Sequence, residues 1–313
     1  MNYHNGHPED DLTRRLLRSI LPPALLCALV RLLPDFAAHW SARLARPMLR
    51  RIASIGSRLP FSLMEWGLLV LIPALCIGFI LHLNRRGMVH AIVHLLRRIW
   101  ILLMVLVYLI AALWVPLYFA EAPLRITATP AQLAASCRVL IDELSASPLD
   151  FSVLPDDLPA KHPSLPFWMD ALNLAGFASF LTGEALISPE LDDAAVPFVA
   201  VHEFMHTQGH ADEGMTNLAA WEECLRRGGM YADSARLWAL KDSLALLHRM
   251  DSDAWSAVRR SLPTEIDALM TQLGGETAPP GGAALAVLAP LGLAEHAQSY
   301  EKLALYLAAD ISI

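Results

Sequence analysis

Hydrophobic residues fall into long runs in the first 120 positions of the chain and into short periodic patterns after them. Two runs, 61–83 and 99–120, are each long enough to cross about 30 Å of hydrocarbon as a helix. A shorter run at 16–33 contains charged residues and two prolines, and we interpret it as a first span. The pattern therefore predicts a membrane region over residues 16–120.

The polar stretches around these runs predict how the spans are connected. Residues 1–15 are polar and are predicted to be disordered. The stretch 34–60 is basic and amphipathic, which is typical of a helix on the membrane surface. Residues 84–98 contain four arginines and are predicted to form a short basic loop between the last two spans.

From residue 121 to residue 313 the pattern is that of a soluble domain. Thr129-Pro130 predicts a helix start, and the following residues place one apolar stripe on that helix. Residues 177–188 predict one or two short strands around Thr182-Gly183. Because most of the rest has helical patterns, the expected fold class is mainly α, with transmembrane helices followed by an α+β domain that has a small sheet. The apolar stripe on the helix that starts at Thr129-Pro130 consists of Leu133, Cys137, Leu140, Ile141 and Leu144.

Composition supports the membrane assignment. Hydrophobic residues make up 55% of the chain and charged residues only 18%, and the mean hydropathy is +0.41. The net charge of −7, and the lack of a basic patch interleaved with aromatic residues, argue against a nucleic-acid partner. We therefore expect a multi-pass protein of the cell membrane, in contact with the lipid bilayer.

Two topologies remain open from the sequence. Three spans with the N-terminus in the cytoplasm would place the domain after residue 121 outside, whereas two spans would keep it in the cytoplasm. With three spans the arginines of 34–60 would lie outside, whereas basic residues are usually found on the cytoplasmic side. Cys137 and Cys224 are the two cysteines of the soluble part, and they could form a disulfide if the domain is exported. The sequence indicates no oligomeric state.

The chemistry of the chain is concentrated in His202-Glu203-x-x-His206. Residues four apart lie on one face of a helix, so both imidazoles can bind one Zn²⁺ ion. Glu203 follows the first histidine and can accept the proton of a water that zinc activates. Pro197 suits the first turn of the helix that this arrangement requires. The spacing predicts a zinc hydrolase motif.

A third protein ligand is needed, and three candidates follow the motif. Asp212 lies at the position of the third histidine in a metzincin, and His210 would share the face only if the helix continued through Gly209. Glu213 begins a segment like the one that supplies the glutamate ligand of gluzincins, and we favour it. Asp212 is then the N-cap of the next helix. Asn217 is predicted to orient the ligands by hydrogen bonding without binding the metal itself.

Two further segments are candidates for substrate contacts. The predicted strand before the motif, with Gly183, Glu184 and Ala185, is placed where zinc peptidases hold an extended substrate by edge pairing. Near the end of the chain, His296 and Tyr300 are candidates for a hydrogen-bond donor to the oxyanion.

Several blocks resemble a bacterial family of unknown function. Its members combine three N-terminal transmembrane helices with a C-terminal gluzincin-like HExxH domain. The resemblance covers most of the chain. Its matching residues are Leu59-Pro60-Phe61-Ser62, Phe180-Leu-Thr-Gly-Glu-Ala185, Val196-Pro197-Phe198, His202-Glu203-x-x-His206-x-x-Gly209, Ala211, Glu213, Asn217 and Ser299-Tyr300.

This resemblance implies His202 and His206 as zinc ligands, Glu203 as the base and Glu213 as the third ligand. It favours Tyr300 over His296, and three spans with the catalytic domain outside. The chain departs from the family pattern at two places. Gly214-Met215 stands where acidic residues are usual, and Glu301-Lys302 stands where a glycine and a basic residue are usual.

The sequence thus predicts a membrane-anchored zinc metalloendopeptidase with a zincin-like domain over 121–313, acting outside the cytoplasm on a protein or peptide substrate. The alternative is a membrane scaffold or signalling protein whose HExxH domain binds a metal or a peptide without turnover.

Overall fold

The structure, a computed structural model, describes residues 8–120, 126–273 and 301–310. The chain divides into two compact units. The first contains Met1–Leu49 and Glu65–Glu121, and the second contains Arg50–Met64 and Ala122–Ile313. The second unit thus includes a short segment from inside the predicted membrane region. We call this segment, residues 50–64, the elbow.

The N-terminal part of the chain is helical almost throughout. Helix α1 begins at Pro8, inside the stretch that was predicted to be disordered. Pro34 stands at the first position of α2, where a missing N–H costs nothing. Single turns of π-helix interrupt the run at Ser41–Ala45 and Ile110–Trp114. The helices are α1 (Pro8–Leu32), α2 (Pro34–Trp40), α3 (Arg46–Gly56), α4 (Leu63–Arg86), α5 (Met88–Leu109) and α6 (Val115–Ala120).

Two of these helical segments, Leu63–Arg86 and Met88–Ala120, are long and apolar enough to cross a membrane. A third passes the same test only as a bent pair, Arg18–Leu32 with Pro34–Gly56, at an angle of 114°. The predicted loop at 84–98 is wrong, because it is helical except at Gly87, whose φ is +83°. Arginine favours helix, so the four charges interrupt the hydropathy of the run without interrupting the helix.

The second unit is built mainly from helices that pack around one core. The stripe predicted on α7 is buried along its whole length, and it packs against α11. Cys137 and Cys224 are buried in this core and form no disulfide, and burial raises the pKa of Cys224 to about 12. The helices are α7 (Pro130–Ser145), α8 (Phe167–Ala171), α9 (Val196–Thr207), α10 (Glu213–Arg227), α11 (Gly229–Met250), α12 (Ser252–Arg260), α13 (Thr264–Gln272) and α14 (Lys302–Asp310).

The small sheet is an antiparallel hairpin, as predicted. Strand β1 is Gly176–Ser179 and strand β2 is Glu184–Ile187, and the turn between them has Gly183 at φ +67°. On its other side β2 is joined by Lys161, whose N–H donates to Ala185 and whose carbonyl accepts from Ile187. Strand β2 is therefore internal and β1 is at the edge. Both strands pack on α9.

A buried ion pair fastens the elbow to this hairpin. Lys161 Nζ lies 2.7 Å from Glu184 Oε1 and also donates to the carbonyls of Gly56, Leu59 and Phe61. The Glu184 carboxylate in turn accepts from the first two backbone N–H groups of α4, those of Leu63 and Met64, at 2.7 and 2.9 Å. The cation thus meets the C-terminal end of α3 and the anion meets the N-terminus of α4, which matches both helix dipoles.

Candidate metal site

Helix α9 carries the motif, and its first turn is held by α11. Pro197 occupies the first turn, and the N–H of Phe198 donates to Ser234 Oγ at 3.1 Å. Ser234 itself donates to the carbonyl of Ala194 at 2.6 Å. The carboxylate of Asp192 accepts from the N–H of Ala194, just before the helix. The start of α9 is therefore fixed from two sides.

Three side chains converge in the way that the favoured ligand set requires. Glu213 Oε2 lies 3.2 Å from His202 Nε2 and 3.6 Å from His206 Nε2. One ligand atom from each of the three lies within 4.8 Å of the others. Two ligands about 2.05 Å from a tetrahedral zinc ion lie about 3.3 Å apart, so the observed spacing fits such an ion. His202, His206 and Glu213 therefore form a group that could hold a metal ion.

Asp212 has a different role from that of a ligand. Its carboxylate caps α10 by accepting from the N–H of Met215 at 3.0 Å, which confirms the predicted N-cap. Lys302 Nζ, from α14, lies 2.8 and 2.9 Å from the two oxygens of the same carboxylate. Asp212 is buried and both of its oxygens are thus engaged away from the metal group. Together these contacts fix the first residue of α10, which is Glu213.

The orientation of His206 is set by the turn after α9. The helix ends at Thr207, and Gly209 has φ +97°, so His210 does not continue the helical face. Instead, His206 Nδ1 donates to the backbone carbonyl of His210 at 2.7 Å. In the neutral imidazole with Nδ1 protonated, the lone pair of Nε2 can bind a metal. The metal group therefore uses the backbone of His210 for support, and its imidazole is not among the three ligands.

A threonine, which the sequence reasoning missed, also contacts this histidine. Thr216 Oγ1 lies 3.4 Å from His206 Nδ1 and donates to the carbonyl of Asp212 at 2.8 Å. Asn217, the predicted orienting residue, is buried one position later. Its Nδ2 finds no hydrogen-bond partner among the residues that the structure describes. Its predicted role stays a prediction.

The electrostatics of the group favour a bound cation. Burial alone would raise the pKa of the Glu213 carboxyl, but the two imidazoles more than offset it and hold that pKa well below its usual range. Burial alone would lower the pKa of His206, but Glu213 raises it to about 9. In the metal-free protein His206 therefore carries a proton at neutral pH. Metal binding displaces that proton, because a ligating imidazole must be neutral.

Glu203 lies beside this group and is covered by the edge strand. Only 8% of Glu203 is exposed, and burial is the main cause that raises its pKa. A Cβ on Gly176 of β1 would overlap the carboxyl group of Glu203. Glycine at 176 thus lets the strand lie directly against the carboxylate. No sequence signal pointed to this residue.

Replacing Gly176 with alanine is expected to displace the Glu203 carboxylate and to leave the three ligands in place. If the site hydrolyses peptides, the rate should fall by about 100-fold, since a shift of about 1 Å in a catalytic group has that effect. Hydrolysis and metal content of the purified full chain would be measured together. Gly67→Ala is the control, because a methyl there meets no atom within 4 Å. Equal rates in the two variants would contradict the expectation.

The remaining predicted site residues lie elsewhere or outside the described chain. Glu184 is bound to Lys161 and to the start of α4, and Ala185 lies in the internal strand, opposite Ala178. A Cβ on Gly183 would overlap the backbone of α3 at Ala53. A substrate contact by residues 183–185 stays a prediction. Tyr300, His296 and Ser299 lie outside the described residues.

Comparison with known proteins adds a family and no activity. No curated protein and no solved structure matches the chain. A family model matches the chain from residue 127, just before α7, to residue 274, just after α13. This range therefore contains the metal group, Glu203 and the hairpin. Residues 127–274 match the family described as protein of unknown function (DUF3810).

Proposed function

We propose that this domain is a membrane-anchored zinc metallopeptidase. The observation that carries the proposal is the buried Glu203 carboxylate directly beside the convergent atoms of His202, His206 and Glu213. Zinc bound there would polarise a peptide carbonyl and lower the pKa of a bound water to about 7. A purely structural metal site has no need for a second, buried carboxylate beside its three ligands. The proposed reaction is hydrolysis of a peptide bond.

The roles of the protein groups follow from their positions. Glu203 accepts the proton of the attacking water and passes it to the leaving amine, for which a raised pKa is suited. The hydrogen bond from His206 Nδ1 to the His210 carbonyl keeps that imidazole in the ligating tautomer. Tyr300 is retained as the proposed donor to the oxyanion.

The edge strand supplies a surface on which an extended peptide could pair. Ser188 N–H donates to the carbonyl of Ala175, so in the antiparallel ladder the backbone groups of Phe177 and Ser179 face β2. Those of Gly176 and Ala178 face outward, and within the described residues no backbone group pairs with them. A substrate strand added here would lie against the strand that covers Glu203. We propose β1 as the substrate edge.

The membrane anchor limits where substrates can be met. Two or three helices of the first part of the chain can cross a bilayer. We propose the topology with three spans, with the catalytic domain outside the cytoplasm. In that topology the bent pair α1 and α2–α3 counts as one span. The substrate would then be a protein or peptide close to the membrane surface.

Metal removal tests the proposal directly. Full-length protein would be purified in detergent, its metal content measured, and a defined peptide mixture incubated with it and analysed by mass spectrometry. We expect about one zinc per chain and hydrolysis that a chelator abolishes and added zinc restores. Zinc without any hydrolysis would favour the scaffold alternative. A well-folded protein that binds no metal would exclude the metallopeptidase and favour a scaffold that binds a peptide.

A further inference from the structure

A cavity of about 560 Å³ lies in the second unit, beside the hairpin turn. It is lined by the elbow, with Arg50, Ser57 and Arg58, and by the segment 158–161. Thr207 and Gln208, at the end of α9, also line it. None of the three metal-group side chains lines it.

The cavity carries positive charge that its own walls do not neutralise. Lys161 and Glu184 both face it, but they compensate each other through their ion pair. Arg50 and Arg58 are exposed, and no carboxylate of the described residues pairs with either. The contact given for Arg50 is a long one, from Nε to the carbonyl of Gln208 at 3.4 Å. Two guanidinium groups therefore remain available to an anion.

The arginines and the size of the cavity suit a phosphate group. Guanidinium presents its N–H groups in a planar fork that binds phosphate oxygens in pairs. The hydroxyl of Ser57 adds a further polar group to the same wall. A phosphate with its glycerol ester fits easily within the cavity volume of about 560 Å³.

The position of the cavity in the chain identifies the source of the phosphate. Arg58 stands five residues before Leu63, where the first candidate span begins. Basic residues this close to a span lie at the level of the lipid headgroups. The chain as a whole is acidic, so any electrostatic attraction to an anionic lipid must come from the basic residues of this segment. We propose that the cavity binds the phosphodiester of an anionic lipid headgroup, held by Arg50 and Arg58.

This proposal does not depend on peptide hydrolysis, but it has a consequence for the metal site. The lipid would touch Thr207 and Gln208, which directly follow the last metal ligand of α9. The helix that carries His202 and His206 would thus be contacted at its end by the membrane surface. Binding can be measured whether or not the protein is an enzyme.

The test uses the full chain in a non-ionic detergent, titrated with phosphatidylglycerol and followed by native mass spectrometry. The Arg50→Gln/Arg58→Gln double variant should weaken the apparent lipid affinity at least about 10-fold. The matched control is the Arg43→Gln/Arg51→Gln double variant, which also removes two exposed charges, neither of which lines the cavity. This control should change the affinity by less than about twofold. An unchanged thermal unfolding midpoint shows that each variant is folded.

Three outcomes would overturn the proposal. An equal loss in the control would mean a diffuse attraction to basic residues and no site. An unchanged affinity in the double variant would mean that the lipid binds elsewhere. Tighter binding of inorganic phosphate alone than of the lipid would identify the free anion as the ligand and remove the lipid from the assignment.

Discussion

Replacing Glu203 with glutamine is expected to leave zinc bound and to lower peptide hydrolysis by at least about 100-fold, because general acid–base catalysis contributes 10²–10⁴-fold. Glutamine has the shape of glutamate and can still accept a hydrogen bond. It cannot take a proton from water or return one to the leaving amine. Because Glu203 is not among the three convergent ligands, the metal content should stay near one per chain.

The same substitution should not destabilise the fold. Burial raises the pKa of Glu203, so its charged form is disfavoured in the folded protein, and a neutral amide removes that disadvantage. Thermal unfolding of the metal-loaded full chain measures this point. Glu222→Gln is the control, since Glu222 is an exposed carboxylate on α10. A Glu203→Gln variant that hydrolyses peptides at the rate of this control would remove Glu203 from the mechanism.

The part of the site that the sequence predicts is the part that local geometry determines. His202, Glu203 and His206 lie in one helical register, so their spacing alone places two ligands and a base on neighbouring positions. Glu213 follows within seven residues, and the N-cap preference of Asp212 already separates it from the ligands. The hairpin is equally local, because Gly183 marks its turn. These features need no knowledge of distant contacts.

The residues that support the site could not be predicted in this way, because they are far away in the chain. Ser234 holds the start of α9 from 36 residues downstream, and Lys302 binds Asp212 across 90 residues. Gly176 is informative only when the strand is seen against Glu203. Lys302 had entered the sequence reasoning merely as a departure from a family pattern. Side-chain contacts at such separations depend on the packed fold, which a single sequence does not specify.

In the N-terminal part of the chain, the hydropathy pattern predicts the spans but not the structure of the segments between them. Hydropathy located two spans, yet it assigned 84–98 to a loop, because the charged residues there lower the hydropathy of the segment. Those residues do not prevent the backbone from forming a helix. The elbow overlaps the stretch 34–60, for which a helix on the membrane surface stays a prediction. In the structure the elbow belongs to the second unit, where Lys161 binds its middle and Glu184 binds its C-terminal end. A contiguous cut of the chain at residue 121 would therefore separate the elbow from the domain that holds it.

Replacing Glu213 with alanine is expected to abolish stable metal binding, whereas Asp212→Asn should keep it. Loss of a residue that merely supports a ligand typically lowers metal affinity 10–100-fold, so loss of a ligand should cost more than about 100-fold. Asparagine at 212 can still cap α10, because it is as good an N-cap as aspartate. Its effect is confined to the ion pair with Lys302, which should cost a little stability but no ligand.

The two variants together decide which carboxylate completes the site. Zinc content and a zinc titration of the apo form would be measured on full-length protein, with Asp212→Asn as the matched control. The affinity of the wild type should also rise with pH up to about 9, since zinc must displace the proton that His206 holds below that pKa. In Glu213→Ala this pH dependence should shift to lower pH, because the carboxylate that raises the pKa of His206 is gone. If the alanine variant kept its zinc and the asparagine variant lost it, the ligand would be Asp212. The site would then have to release Lys302 before it could bind a metal.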